Sequence, residues 1–245
     1  MSKSKLNQLI ENKHFHHVFQ PIVDLRTKEI IGFEALLRSD LFERPEQAFL
    51  SADEGKERYK LDQLSITMAI NHFSKYCDSN LPLYINVFPS TVARSNFIPF
   101  LNDVVNESKL NHYQLVIELV ELEVIKELEP LKWNIQQLKE NGYIISIDDV
   151  GKGSSTFRLM IELEPHIIKM GQYFVKELPH STLNQKMIES LQDYCLNMGM
   201  TLILEGIETE KELQAVKQLG VTHGQGFYLG EPAWLEQVSN YLSGS

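Results

Sequence analysis

The sequence is poor in cysteine and contains no long apolar run. Its 245 residues include only Cys77 and Cys195. Two widely separated cysteines do not form a disulfide framework, so we expect reduced, buried thiols. No apolar stretch approaches the roughly 20 residues that cross a bilayer, and the N-terminal segment lacks the apolar core of a signal peptide. The sequence therefore predicts a cytoplasmic protein with no membrane-inserted segment.

Positive charge is also scarce. Lys and Arg total 23 against 33 Asp and Glu, which gives a formal net charge of -10. Binding to long nucleic acid relies on a basic surface and on counterion release, so this balance argues against that function. A small phosphorylated ligand remains compatible if metal ions, or a few well-placed Arg and Lys side chains, supply local positive charge.

Low-complexity segments, interdomain linkers and solenoid repeats are absent as well. With 43% hydrophobic residues, a chain of this length can bury one large core. We therefore expect a single domain over residues 1–245, with a helical lead-in at 1–14 and a frayed tail at 243–245.

Short apolar runs alternate with segments of helical periodicity, which is typical of a parallel βα barrel. The predicted strands cover 18–25, 29–37, 83–87, 115–119, 144–148, 167–170, 201–205 and 225–229. The predicted helices cover 61–76, 90–107, 128–141, 154–162, 182–198, 210–219 and 232–242. Only Arg26, Thr27 and Lys28 separate the first two strands, too few residues for a crossover helix, so these strands form an antiparallel hairpin. The predicted fold is a TIM-like (β/α)8 barrel with one antiparallel strand.

Polar side chains lie late in most of the predicted strands. Because the carboxyl ends of barrel strands meet at one face, these groups are expected to converge there. Each acid alone is most simply a solvated loop residue, but converging acids need cations, and oxygen ligands favour Mg²⁺ or Mn²⁺ over zinc. The candidates are Glu34, Asn86, Glu118, Asp148, Asp149, Lys169 and Glu205. His14, His16 and His17 lack a further ligand and are interpreted as polar residues leading into the first strand.

The ordered motifs resemble those of the EAL domain family of cyclic di-GMP phosphodiesterases. The resemblance covers nearly the whole chain. It rests on Phe19-Gln20-Pro21-Ile22, Glu34-Ala35-Leu36-Leu37-Arg38, Ile85-Asn86-Val87, Glu118-Leu119-Val120-Glu121, Asp148-Asp149-Val150-Gly151, Lys169, Glu205-Gly206-Ile207-Glu208 and Gln225-Gly226-Phe227-Tyr228.

The resemblance implies hydrolysis of cyclic di-GMP to linear pGpG with two divalent cations, Mg²⁺ or Mn²⁺, in a homodimer. It assigns the first metal to Glu34, Asn86, Glu118 and Asp148, and the second to Asp148, Asp149 and Glu205. It makes Lys169 a catalytic residue that orients the attacking water, and Glu205 either a general base or a ligand. Substrate contacts are implied for Gln20, Leu36, Arg38 and, at the pocket rim, Gln225. Glu208 is implied to anchor the loop after Asp149.

Two departures from the family pattern bear on activity. The loop at 150–156 keeps its glycines but lacks the usual aromatic residues and threonine, and Met170-Gly171 replaces the usual Ile-Asp after Lys169. Phe88 and Val120 stand where a Ser and a Thr are usual. A weakened domain that binds cyclic di-GMP or a protein partner is therefore the alternative function. A Mg²⁺-dependent lyase with Lys169 as base fits the carboxylates but not the ordered motifs.

Overall fold

The computed structural model describes residues 2–52, 55–77, 80–120, 128–151 and 156–242. Its centre is a closed barrel in which eight strands are neighbours in chain order. The strands are β1 His16–Asp24, β2 Ile30–Arg38, β3 Leu83–Val87, β4 Leu115–Leu119, β5 Ile144–Ile147, β6 Ile167–Met170, β7 Thr201–Leu204 and β8 His223–Gly224.

Helices follow the strands and surround the barrel. Within the described residues they are α1 Ser2–Glu11, α2 Pro45–Ser51, α3 Lys56–Tyr76, α4 Pro89–Val92, α5 Phe97–Glu107, α6 Leu128–Glu140, α7 Thr156–Leu163, α8 Gln172–Lys176, α9 Thr182–Met198, α10 Glu210–Gln218 and α11 Leu235–Leu242. The segment α1 lies within the predicted helical lead-in, and residues 243–245 fall outside the described part of the chain.

The predicted hairpin is confirmed. The strand β1 is antiparallel to β2 and to β8, whereas each pair from β2–β3 to β7–β8 is parallel. Asp24 stabilises the turn, because its Oδ1 accepts hydrogen bonds from the backbone N of Arg26 at 2.8 Å and of Thr27 at 3.3 Å. The side chain of Arg26 also forms a bidentate ion pair with Asp24, with 3.2 Å from Nε to Oδ1 and 2.7 Å from Nη2 to Oδ2.

The predicted eighth strand is wrong in position. β8 covers only His223–Gly224, and the chain then turns between Gly226 and Gly230. Gly226 has a φ of 156°, and a Cβ atom there would lie 2.2 Å from the carbonyl oxygen of Ile207. Close contact with this backbone segment, rather than strand pairing, therefore determines the conformation after β8.

Each predicted helix overlaps a helix of the structure, and the bounds or the number of helices differ at several places. The segment 90–107 is two helices, α4 and α5. Where α4 ends, Asn134 Nδ2 donates to the carbonyl oxygens of Val92 at 2.7 Å and Arg94 at 3.0 Å, which stabilises the break between the two helices. The short helices α2 and α8 are additional. The helix expected from Ser154 begins at Thr156, and residues 152–155 are not described.

Alternation along each strand separates two cores. Leu115, Ile117 and Leu119 of β4 belong to the large core between the strands and the surrounding helices, while Val116 belongs to a cluster inside the barrel. Residues two apart on a strand share a face, so Val116 and Glu118 both point into the barrel. The interior is thus apolar below and acidic at the carboxyl ends of the strands.

Two expectations from composition meet the structure directly. Cys77 and Cys195 are buried free thiols, as predicted. Among the helices that the structure describes, none has both the length and the apolar character needed to cross a membrane.

Candidate active site

The predicted site residues converge at the carboxyl-terminal mouth of the barrel. They line or underlie a cleft with a volume of about 910 Å³. Glu34 comes from β2, Asn86 from β3 and Glu118 from β4, while Asp148, Asp149 and Glu205 directly follow β5 and β7. Glu118 is fully buried beneath the cleft floor. The barrel topology therefore brings together groups that are as much as 171 residues apart in sequence.

Lys169 is the centre of this cluster and is fully buried. Its Nζ lies 2.9 Å from Glu34 Oε2, 2.7 Å from Glu118 Oε1 and 2.6 Å from Glu205 Oε1. Burial alone would lower the pKa of Lys169, but the surrounding carboxylates, Glu118 first, hold this pKa well above its usual range. Lys169 is therefore a cation at neutral pH, and it joins three carboxylates by hydrogen bonds.

Glu34 has the most complete set of partners. Asn86 Nδ2 donates to its Oε1 at 2.7 Å, and Gln225 Nε2 donates to its Oε2 at 2.9 Å, beside the ammonium of Lys169. Burial opposes ionisation, but the charge of Lys169 and these hydrogen bonds hold the pKa of Glu34 below its usual value. Glu34 is thus fixed as a carboxylate.

The other acids are less compensated. Burial, followed by the charges of nearby carboxylates, raises the pKa of Glu118 and of Asp148 well above the usual range and raises the pKa of Glu205. The cluster holds five carboxyl groups around the ammonium of Lys169, so the acids outnumber this cation. Such groups gain most from a divalent cation, since one ion neutralises two charges.

Asp148 and Asp149 are held in a strained turn. Asp149 has a φ of 53°, and its backbone N donates to Asp148 Oδ1 at 2.7 Å. The next amide, Val150 N, donates to the carbonyl oxygen of Lys169 at 3.0 Å. A positive φ costs of order 1–3 kcal/mol for a residue other than glycine and is common where a site requires it. This turn presents both aspartates to the same cleft.

The donor set fits hard divalent cations. One group comprises oxygen atoms of Glu34, Glu118 and Glu205 and the other those of Asp148, Asp149 and Glu205, and in each the atoms lie within 4.8 Å of one another. Carboxylate oxygens at such spacing suit Mg²⁺ or Mn²⁺. Glu205 belongs to both groups, whereas the family resemblance gives the bridging position to Asp148.

The residues predicted to contact substrate all line the cleft, but their roles differ. Leu36 and Arg38 lie on the wall and are half-buried. Gln225 is not at the rim: its side chain is buried in the floor, where it donates to Glu34 and, at 3.2 Å, to Gln20 Oε1. Gln20 in turn donates to the carbonyl oxygen of Gly230 at 3.1 Å. The two glutamines position Glu34 as much as they face the cleft.

Glu208 has a partner that the sequence did not reveal. Its Oε1 accepts a hydrogen bond from Gln172 Nε2 on α8. The α8 segment also supports the loop after Asp149, because Phe174 packs so closely under Gly151 that a Cβ atom there would lie 2.6 Å from its ring. Most of the loop that Glu208 was expected to anchor, residues 152–155, lies outside the described residues. Glu208 is therefore connected to α8, which contacts the start of that loop.

His17 is buried rather than a polar lead-in residue. It lies in β1, and its Nε2 is 2.9 Å from Ser65 Oγ on α3. Burial, and then the charges of His72, His16 and Arg38, lower the pKa of His17 from 6.5 to about 3. The folded protein thus holds a neutral imidazole over a pH range in which the unfolded chain binds a proton.

This difference predicts acid sensitivity. Because the folded pKa of His17 is lowered, its contribution to stability is present above pH 6.5 and is lost as the pH falls towards 3. Between pH 7 and pH 5 the free energy of unfolding is expected to drop by about 2 kcal/mol from this group. Denaturant unfolding at pH 7, 6 and 5 measures the slope. His17→Gln should flatten it and His14→Gln, at an exposed position, should not; equal slopes for all three proteins would contradict the assignment.

Gly171 is the position where the family usually has an aspartate. Its φ is -72° and its ψ is 168°, a conformation that any residue adopts. We predict that Gly171→Asp folds normally and lowers the metal concentration for half-maximal rate, since it adds a carboxylate beside the second oxygen group. Rate titrations with Mg²⁺ and Mn²⁺ measure this, and Mn²⁺ is expected to be the better activator of the parent protein. An unchanged metal dependence would make the departure neutral.

The fold and site together define an α/β barrel with an acidic cleft of the kind that binds divalent cations. Residues 3–232 match the model of the EAL domain, and the chain belongs to this family. The resemblance drawn from the motifs is thereby confirmed, as is the TIM-like barrel.

Known relatives give the family context. A cyclic di-GMP phosphodiesterase of Pseudomonas aeruginosa is 26% identical over 98% of this chain and 42% of that protein. The chain spans about two fifths of the length of the first curated relatives that it matches. The calcium and cyclic di-GMP complex of Klebsiella pneumoniae BlrP1 is 27% identical, with a TM-score of 0.83, and covers 91% of this chain and 56% of that one. A cyclic di-GMP-bound standalone EAL protein of Vibrio cholerae is 25% identical, with a TM-score of 0.83, over 90% and 93% of the two chains.

Proposed function

We propose that this chain is a metal-dependent phosphodiesterase that hydrolyses cyclic di-GMP to linear pGpG. The observation that carries the proposal is two sets of three carboxylates, which share Glu205 and lie at a cleft large enough for a small nucleotide. The names of relatives support the substrate, and complexes of BlrP1 with cyclic di-GMP and either calcium or manganese support divalent cations.

The residues present fit two such ions. We assign Glu34, Asn86, Glu118 and Asp148 to the first and Asp148, Asp149 and Glu205 to the second. Glu205 can take part in both, because its carboxylate also lies within 4.8 Å of those of Glu34 and Glu118. Divalent cations, when bound, supply positive charge to the phosphate oxygens and lower the pKa of a water molecule. The chain's own contribution is to hold these oxygens in place before substrate arrives, which lowers the cost of reorganisation during the reaction.

Lys169 acts from beneath the cleft. Full burial and three carboxylate partners leave its ammonium as a fixed positive charge and a hydrogen-bond donor for Glu34, Glu118 and Glu205. We propose that it orients these acids and keeps Glu205 ionised, so that Glu205 can accept a proton from the attacking water or bind metal. Arg38, on the cleft wall, is suited to a phosphate oxygen through its planar set of donors.

The alternative is a binding module that senses cyclic di-GMP without turnover. The enzyme is favoured because every residue assigned to the metals is present and the acidic groups share one cleft. Incubation of the purified protein with cyclic di-GMP and Mg²⁺ or Mn²⁺, followed by product identification, separates the two. Linear pGpG supports the enzyme, and binding without product supports the receptor.

We also propose a homodimer through α7 and α9. These helices form an apolar groove of about 410 Å³ whose lining includes Phe157, Ile161 and Met187. Ile161 is 69% exposed and Phe157 52% exposed, which is unusual for large apolar side chains in such proximity. Sedimentation equilibrium of the parent protein and of Ile161→Asp tests this: a parent dimer that becomes monomeric supports it, and a monomeric parent contradicts it.

A further inference from the structure

Two side chains, Phe49 and Phe88, form an aromatic wall of the cleft next to β3. Phe49 comes from α2 and Phe88 directly follows β3, and their ring centroids are 5.2 Å apart at an interplanar angle of 36°. Both line the cleft. Phe88 is only 2% exposed, whereas Phe49 is half-buried. Phe49 is therefore the ring that offers a surface to a ligand, with Phe88 behind it.

Within the aromatic wall, Phe88 is held in place by neighbouring side chains. The guanidinium of Arg58, itself buried, lies 4.8 Å from the centroid of the Phe88 ring. The backbone N of Phe88 donates to Asp62 Oδ2 at 3.4 Å, and Thr91 Oγ1 donates to the same oxygen. Because Asp62 is fully buried, the loop that carries Phe88 has little freedom. Phe88 is thus a fixed support for the ring of Phe49, and this contact limits the conformational entropy that Phe49 loses when a ligand stacks on it.

The chemistry of this wall differs from that of the acidic cluster. Ile66 and Ala69 of α3 are buried apolar residues that also line the cleft, and Glu43 and Arg44 line it at exposed positions. A phosphate gains nothing from an aromatic wall, because the face of an aromatic ring carries partial negative charge. A nucleobase does gain from it, since each base has a π-face for the ring and a polar edge for nearby donors and acceptors.

We propose that Phe49 is the stacking platform for a purine base of the bound cyclic dinucleotide, with Phe88 and Arg58 as its support. The inference rests on the proposed function for the substrate, but it assigns a role in binding rather than in phosphate chemistry. Phe88 stands where the family pattern usually has a serine, so the supporting ring is a departure of this sequence from that pattern. Phe49 is thereby a substrate-binding residue of the cleft.

Kinetics of Phe49→Ala and Phe49→Leu test the role of the ring. Loss of base stacking is expected to raise KM for cyclic di-GMP roughly 5- to 100-fold, with a much smaller fall in kcat because the acidic cluster is untouched. Phe49→Leu keeps the apolar volume but has no ring, so a KM raised in this variant as well indicates stacking, and a KM raised only in Phe49→Ala indicates packing and contradicts the proposal. Leu50→Ala, at an adjacent position that is 61% exposed, is the matched control. A KM that is unchanged in both Phe49 variants, or a fall confined to kcat, would overturn the proposal.

Fluorescence of Phe49→Trp gives a second readout that does not require turnover. We expect this variant to retain the parent KM and its added indole to be quenched when cyclic di-GMP binds with Ca²⁺, whereas Leu50→Trp is not quenched. If Phe49→Trp is quenched but neither the parent protein nor any variant hydrolyses cyclic di-GMP, the stacking role is supported and the proposed enzyme is contradicted. Hydrolysis by Phe49→Trp without quenching beyond that of Leu50→Trp would retain the enzyme and refute the platform.

Discussion

Removal of divalent metal is expected to abolish hydrolysis of cyclic di-GMP, and addition of Mg²⁺ or Mn²⁺ to restore it. The physical reason is the charge in the cleft. Lys169 contacts Glu34, Glu118 and Glu205, but Asp148 and Asp149 add two further acids to the same small volume. A phosphodiester is itself an anion, so it does not approach this cluster closely unless cations compensate the charge.

The measurement is product formation in the presence of chelator, followed by titration with each metal. Ca²⁺ is expected to support binding better than turnover, because its larger radius and looser coordination position a water molecule less well. A metal that binds the folded state also stabilises it, by about 2.7 kcal/mol at a hundred times its Kd, so the thermal midpoint should rise along with activity. Full turnover after exhaustive removal of metal would rule out the proposed mechanism.

The barrel could be predicted because its strands are short apolar runs with clear limits. The bounds of β3, β4 and β6 are as predicted, since each is a short, mainly apolar run that is buried along nearly its whole length. The segment after β8 was misassigned because Gly226-Phe227-Tyr228-Leu229 has the composition of a strand. Its hydrogen bonds to Ile207 and within the turn are long-range contacts that composition does not encode.

The site could be predicted in membership but not in its connections. Strand alternation and the motifs placed the acids at one face, and Glu34, Asp148, Asp149 and Glu205 line one cleft there, with Glu118 buried beneath it. They did not indicate that Lys169 is buried under three carboxylates, that Gln225 is a buried donor to Glu34, or that Gln172 is the partner of Glu208. These depend on side-chain directions and on which strands are neighbours. Phe88 gave the one early signal of the aromatic wall, as a departure from the usual serine.

Glu34→Ala and Glu205→Ala are expected to lose activity by different routes. Each removes a carboxylate from the cluster, and a loss of about two to four orders of magnitude in rate is typical when such groups are removed. Glu34 belongs to one oxygen group and Glu205 to both. Excess Mn²⁺ should therefore recover part of the rate of Glu34→Ala, which lacks one ligand of one ion, and little of the rate of Glu205→Ala.

Stability separates the two variants further. Glu34 accepts hydrogen bonds from Asn86, Gln225 and Lys169, so its removal takes one acceptor from each of three donors. Lys169 keeps Glu118 and Glu205, and Gln225 keeps Gln20, but a donor left without a partner costs about 1–3 kcal/mol unless water reaches it. Glu205 is 19% exposed at its side chain and bonds to Lys169, which keeps Glu34 and Glu118. Glu34→Ala should thus lower the thermal midpoint measurably, and Glu205→Ala should leave it nearly unchanged because it also relieves repulsion among the acids. Asp193→Ala, an exposed acid on α9, should change neither rate nor midpoint. If Glu205→Ala instead melted early while its activity per folded molecule stayed normal, Glu205 would be a structural residue, and the shared position between the two oxygen groups would have no part in the chemistry.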